Sequence, residues 1–296
     1  MRKDPDPDAD LARLTCYLSP EQIRDEIRRE AAAVSRKCRR FKPTGKPHRL
    51  GVVLSDVHVP KHDPASWAVA LKAVRDIRPD HVWILGDFLD LASVNRHEKA
   101  PGDDYTLRQE LWCGNRALDE VADAIGPRPC DLLFVDGNHE DRMRRYVASG
   151  RCPPELRDAL EEVPEALCLK QRGWRYVGPD EQPIYDGSLA VFHGHWYGKH
   201  HAAKHLDEMG GSVIYGHTHR PQQMTRQTVR GPIIGTGAPC LRRLSAEWQH
   251  QRNREFTGWL NGFVVLEWID GYCHPRNVFV VNGCASYGGR VWRAAK

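Results

Sequence analysis

The sequence predicts an α/β fold in which buried strands alternate with helices and give way to further β structure towards the C-terminus. Three observations predict it. Five short apolar runs rich in β-branched residues recur between Gly51 and Tyr215, each of a length that suits a strand buried on both faces. The stretches between them carry apolar residues at helical spacing. Each run ends in a small cluster of Asp, Asn, His and Gly. In α/β sheets the loops beyond the carboxyl ends of the strands converge on one rim, where ligands collect.

The first ten residues, with Asp4, Pro5, Asp6, Pro7 and Asp8, suit neither helix nor ladder and read as a disordered tail. Ser19 then fits an N-cap, Pro20 the first helical position and Gln22 the capping-box spacing, so a helix is expected over about residues 20–36. Its end is basic, with Arg28, Arg29, Arg36, Lys37, Arg39 and Arg40. Such an end suits the helix dipole, and it also suits contact with a nucleic acid or a protein partner. Residues 1–47 are therefore read as a tail and helical extension, and 48–296 as one main domain. Within that domain, strands are expected at 51–54, 81–85, 132–135, 189–192 and 212–215, with helices at about 64–77, 105–126 and 199–209. Beyond Arg220, further strands are expected around 222–228, 232–235, 262–268, 277–281 and 290–292, with Asp270-Gly271 as a hairpin turn.

Composition narrows the classes. A formal charge of +4 over 296 residues is mildly basic, which permits attraction to nucleic acid without demanding it. No apolar run reaches the length of a membrane span. The acidic, proline-broken start lacks the basic and then apolar order of a secretory signal. Nine cysteines without a C-x-x-C pair point to reduced thiols rather than a disulfide framework, and so to a cytoplasmic protein.

The chemistry lies in the five clusters: Asp56-x-His58, Gly86-Asp87-x-x-Asp90, Gly137-Asn138-His139-Glu140, His193-Gly194 and Gly216-His217-x-His219. Counting only residues expected to face the rim, two aspartates, one asparagine and four histidines supply donors for two divalent ions. Hydrolysis of a phosphate ester needs a water deprotonated near neutral pH and neutralised charge in the transition state, and two ions roughly 3.5 to 4 Å apart provide both. In an extended segment residues at i and i+2 face one side, so Asp56 with His58, and His217 with His219, are each expected to converge. Mixed nitrogen and oxygen donors suit Mn, Fe, Zn, Ni or Co alike, with Mn2+ the expected ion. His195, His200, His201 and His205 read as surface histidines.

In order and spacing these clusters resemble the calcineurin-like metallophosphoesterase superfamily. Its pattern of D-x-H, G-D-x-x-D, G-N-H-(E/D), H-G and G-H-x-H is met at every position over about residues 50–220. The resemblance implies a four-layer α-β-β-α sandwich, two mixed sheets packed together with helices outside. It implies Asp56, His58 and His219 on one metal, Asn138, His193 and His217 on the second, and Asp87 bridging. It also implies that His139 is no ligand but a general acid or charge stabiliser beside the leaving oxygen, with Asp90 orienting its ring. The phosphoprotein phosphatase and dinucleoside-tetraphosphatase branch continues G-D-x-x-D with Arg-Gly. Here Leu91-Ala92 stands in that place, which turns expectation away from a protein phosphatase. The stretches around Asn138 and His217 look most like phage and prophage-type members, which implies the cytoplasm of a bacterium or a phage-infected host.

Arg96, Arg142 and Arg220 are the nearby cations expected to grip substrate phosphate. The expected activity is hydrolysis of phosphate esters by a hydroxide bridging two metals, foremost as a phosphodiesterase or nuclease on nucleic acid or nucleotides. A phosphomonoesterase and a non-catalytic, metal-bound nucleic-acid-binding module are the alternatives.

Overall fold

The computed structural model describes Gln22 and residues 49–96, 104–157, 160, 162–244 and 258–295. Of the expected tail and extension over 1–47, Gln22 is helical and the rest lies outside the described residues. Four strands, β1 (Arg49–Leu54), β2 (His81–Leu85), β3 (Asp131–Val135) and β4 (Trp174–Val177), run parallel and side by side. A second sheet follows from β5 (Ile184–Asp186), β6 (Leu189–Val191), β7 (Val213–Tyr215), β8 (Gln222–Thr228) and β9 (Gly231–Gly237), in the order β5-β6-β7-β9-β8. Its central three strands are parallel and its two edges antiparallel. The chain then returns to the first sheet, where β10 (Gly262–Ile269) and β11 (Tyr272–Phe279) add antiparallel strands beyond β1. A hairpin of β12 (Cys284–Tyr287) and β13 (Arg290–Arg293) follows.

The helices have clear local causes. In α1 (Pro64–Ile77) the Asp63 carboxylate accepts the Ser66 N–H at 2.7 Å, Pro64 opens the first turn, and Arg78 ends the helix in a left-handed conformation. Thr106 and Gln109 close a reciprocal capping box on α2 (Leu107–Ile125). Two further helices, α3 (Asp141–Ala148) and α4 (His201–Met209), follow β3 and β6.

Alternation along the strands sorts side chains into layers. Val52, Leu54, Ile84 and Phe134 face α1 and α2, where they meet Trp67, Val74, Leu118 and Val121. Their neighbours Val53, Trp83, Leu85 and Val135 face Leu189, Val191 and Ile214 of the second sheet. On that sheet's far side, Ala190, Val213 and Tyr215 pack with Leu206 of α4. The result is the expected α-β-β-α sandwich with two mixed sheets, and each such aliphatic side chain contributes about 1.5–3 kcal/mol by leaving water.

Three features depart from expectation. β4, β5 and β12 were not anticipated, because three or four residues at a sheet edge or in a terminal hairpin leave too short a pattern to register. α3 starts directly behind the Asn138 cluster, where the polar sequence Asp-Arg-Met-Arg-Arg hides a helix with only Asp141 and Met143 buried. His201 and His205 are not surface residues: they are 2% and 0% exposed. The His205 ring stacks on Tyr215 at 3.5 Å, and His201 Nδ1 lies 2.6 Å from the Tyr215 hydroxyl. Among the described residues no helix is long and apolar enough to cross a membrane, and seven of the cysteines are free thiols.

α4 seats closely on β9 because Gly235 presents no side chain to it. A Cβ there would meet Leu206 Cγ at 2.8 Å and the Ala202 carbonyl at 3.0 Å. Gly235→Val is therefore expected to destabilise the protein by about 1–3 kcal/mol, read as a lowered urea midpoint. An unchanged midpoint would show that this contact is not tight.

Candidate metal centre

The five clusters follow β1, β2, β3, β6 and β7 and meet beyond the carboxyl ends of those strands. The segments behind β1 and β2 continue side by side: the Asp56, His58 and Val59 N–H groups donate to the Gly86, Asp87 and Phe88 carbonyls at 3.2, 2.9 and 2.7 Å. They are not extended, as the i and i+2 spacing implied. Asp56, His58, Asp87, His217 and His219 have φ values of 51°, 55°, 48°, 66° and 55°, the left-handed region that non-glycine residues seldom occupy. The expected pairs do converge, but through alternate left-handed residues whose strain the surrounding hydrogen bonds hold in place.

Two motif glycines have a steric cause. At Gly216 a Cβ would lie 2.5 Å from Asp56 Oδ2, and at Gly137 it would lie 2.3 Å from Asp87 Oδ1. Each glycine lets a neighbouring loop press its backbone against a carboxylate of the cluster. The His217 N–H donates to Asp56 Oδ1 at 2.9 Å, and the His139 N–H to Asp87 Oδ1 at 2.9 Å.

Among the described residues three groups of donors have every atom within 4.8 Å of the others; beside His58, Asp90 and His139, two groups share Asp87: Asp56, His58, Asp87 and His219, and Asp87, His193 and His217. Asn138 joins the second, its Oδ1 lying 3.1 Å from His193 Nε2 and 2.7 Å from His217 Nδ1. Asp87 belongs to both. Donors bound to one divalent ion at about 2.0–2.2 Å sit about 3 to 3.5 Å from each other. The separations here match: 3.0 Å between His58 Nε2 and His219 Nε2, 3.2 Å from His219 Nε2 to Asp56 Oδ1, and 3.3 Å from His193 Nε2 to Asp87 Oδ2. The residues present therefore fit divalent cations.

Outer contacts aim the rings. His58 Nδ1–H donates to Asp90 Oδ1 at 2.9 Å and His193 Nδ1–H to the Leu85 carbonyl at 2.9 Å, so each turns Nε2 towards the cluster. Burial alone would raise the carboxyls, but neighbouring imidazoles prevail. His219 holds Asp56 below its usual value, His193 and His139 hold Asp87 well below, and a hydrogen bond from His58 does the same for Asp90. Burial opposes charge on His193, yet Asp87 and Asp56 raise it to about 10. Burial draws His58 down to about 4 despite Asp90. Three buried carboxylates at one point create a demand for positive charge that a cation meets.

The remaining predicted residues are placed differently. The Asp90 carboxylate serves His58 and Lys61, the latter at 2.9 Å, whereas its backbone carbonyl is what accepts from His139 Nδ1–H, at 2.7 Å. Orientation of His139 by the Asp90 side chain is thus corrected to orientation by its main chain, with the carboxylate 3.6 Å away. Arg142 donates to the same carbonyl at 2.7 Å and to His139 Nε2 at 2.8 Å, inside the centre. Burial, aided by His58 and Arg142 against Asp87 and Asp90, holds His139 well below its usual pKa. Arg220 donates to the Tyr197 carbonyl, and Arg96 is exposed.

Several supporting residues escaped the sequence. Glu140 accepts the N–H groups of Asp87, Leu89 and Gly137 at 2.9, 2.8 and 2.9 Å. Burial with Asp87 and Asp136 nearby pushes it up to about 8, against the backbone bonds that favour its charge. Glu110 on α2 accepts from the Ala92 and Ser93 N–H groups and clamps the other end of that segment. Trp259 packs edge-on against His219 at 4.4 Å. The adjoining G-N-H-E motif was the one available signal, for Glu140 alone. Glu140→Ala would strip the acceptor from three buried N–H groups, at about 1–3 kcal/mol each. A loss of at least about 3 kcal/mol in denaturant unfolding is expected, and a loss below about 1 kcal/mol would contradict the clamp.

A family model described as the calcineurin-like phosphoesterase superfamily domain matches residues 50–248. The gene 54 protein of Mycobacterium phage L5 is 27% identical over 262 residues, covering 81% of this chain and 97% of that protein. Its counterpart in Mycobacterium phage D29 is 24% identical over 257 residues, again 81% and 97%. Among solved structures, vacuolar protein sorting 29 from Cryptosporidium parvum has 10% identity and a TM-score of 0.40, with 83% of this chain and 98% of that one covered.

Proposed function

This chain belongs to the calcineurin-like phosphoesterase superfamily, and from that footing we propose that it is a two-metal phosphoesterase, foremost a phosphodiesterase acting on nucleic acid or nucleotides. The observation that carries this proposal is the place of Asp87 in both donor groups, which one carboxylate with two oxygens suits. Asp56, His58, His219 and Asp87 would hold one ion, and Asn138, His193, His217 and Asp87 the other, with Mn2+ as the expected ion among the several that such donors suit. Bound there, two divalent ions supply an activated water and neutralise charge on the phosphoryl group.

The chain's own residues do the rest. Asp90 fixes the His58 ring by its carboxylate and the His139 ring by its carbonyl. His139 Nε2, 3.9 Å from Asp87 Oδ2, accepts from Arg142 and carries no proton in this arrangement, so it would give one to the leaving oxygen only after taking one up. Arg142 occupies that nitrogen, so proton transfer asks its guanidinium to turn towards the phosphoryl oxygens, where its planar fork suits two of them. Arg220 is engaged with the Tyr197 carbonyl and would have to leave it to reach a phosphate. Leu91-Ala92 in place of Arg-Gly continues to weigh against a protein phosphatase.

Hydrolysis of bis-p-nitrophenyl phosphate and p-nitrophenyl phosphate, with and without Mn2+, tests this. Turnover that is abolished by EDTA, restored by Mn2+ and faster on the diester is expected. Preference for the monoester would replace the diesterase by a phosphomonoesterase, and no turnover on either would remove the enzyme. His139→Ala is expected to lower kcat about a hundredfold or more while Mn2+ binding by calorimetry persists. Wild-type turnover in that variant would sink the acid role.

A further inference from the structure

The two donor groups differ in exposure. Asp56, His58 and His219 are buried, whereas Asn138 is exposed and His217 half-buried, so the centre opens on the Asn138 and His217 side. Residues 195–200 border that opening. They follow Gly194, where a Cβ would lie 3.2 Å from His217 Cβ, and Arg220, next after His219, reaches across to the Tyr197 carbonyl.

The backbone of this segment is fastened at alternate residues. The His195 N–H donates to His205 Nε2 at 3.3 Å, the Tyr197 carbonyl accepts from Arg220, and the Lys199 carbonyl accepts from Gln222 Nε2 at 3.0 Å. Trp196 packs on His205, but the side chains of Tyr197 and Lys199 are left in water. Tyr197 is 70% exposed and Lys199 is exposed, and among the described residues neither side chain has a hydrogen-bond, ion-pair or ring partner. A fixed main chain presenting an open aromatic face and a cation two residues apart lowers the ordering cost of a ligand that takes both.

We propose that residues 195–200 form a recognition strip for single-stranded nucleic acid, with the Tyr197 ring stacking a base and Lys199 pairing with a neighbouring phosphate. The strip rests on the phosphoesterase assignment and names its substrate class. Every base offers a π face, so a ring without polar neighbours binds bases with little sequence preference. A base inside a duplex has no such face free. A small phosphomonoester would use neither the ring nor the second cation.

Fluorescence anisotropy tests the strip, using the full-length protein in EDTA so that the strand stays whole. The probes are a labelled oligothymidylate and an abasic strand of the same length, so that phosphate number is matched. Wild-type protein is expected to bind the oligothymidylate about tenfold more tightly. Tyr197→Ala should erase that preference and leave abasic affinity alone, while Tyr197→Phe should keep it. Lys199→Ala should weaken both strands and lower the salt slope by about 0.7. Equal wild-type affinity for the two strands, or a preference that survives Tyr197→Ala or is lost in Tyr197→Phe, would overturn the strip. Hydrolysis of bis-p-nitrophenyl phosphate by the wild type separates the two failures. Turnover without base preference discards the strip and keeps the enzyme, and base preference without turnover keeps the strip and discards the enzyme.

Discussion

Asp56, Asp87 and Asp90 place three carboxylates, all at most 3% exposed, at one rim of the sandwich, and the rest of the centre answers to that constraint. A buried ion left alone costs several kcal/mol, so each oxygen must find a partner within reach. The partners come from different strands: His219 for Asp56, His193 for Asp87, His58 and Lys61 for Asp90. Convergence of five loops is therefore required by the charges as well as permitted by the fold. The same constraint explains why Gly137 and Gly216 carry no side chain, since any Cβ there would displace a carboxylate.

Such crowding is held in place by the layers behind it. The donor residues in left-handed conformations sit on segments whose N–H groups are already claimed, by a neighbouring loop or by a buried carboxylate. Glu140 and Glu110 grip the segment from Asp87 to Ser93 at its two ends, and the two oxygens of each take more than one donor. The outer face of the centre is organised differently: Arg220 ties the 195–200 segment to the His217 turn, joining a rigid interior to an open border.

Much of this was legible in the sequence. The seven donors and their order could be read because each lies within a few residues of a strand end, and strand ends are marked by apolar runs that stop abruptly. The layers were legible for the same reason. What could not be read depends on partners remote in sequence. Asp90 meets His58 across 32 residues and His139 across 49, and only tertiary packing decides that one contact uses the carboxylate and the other the carbonyl. Arg142 and Arg220 looked equivalent, each close behind a donor, but one turns inward to His139 and the other outward to Tyr197. His201 and His205, polar in composition, are core residues because Tyr215 offers one a hydroxyl and the other a ring.

The account depends on Asp87 serving two cations at once. The most direct measurement is a crystal structure of the Mn2+-loaded protein with metal positions taken from anomalous scattering. Two ions roughly 3.5 to 4 Å apart, both touching Asp87, with His58 and His219 on one and His193 and His217 on the other, is the predicted result. A single ion, or two ions of which Asp87 touches only one, would contradict it.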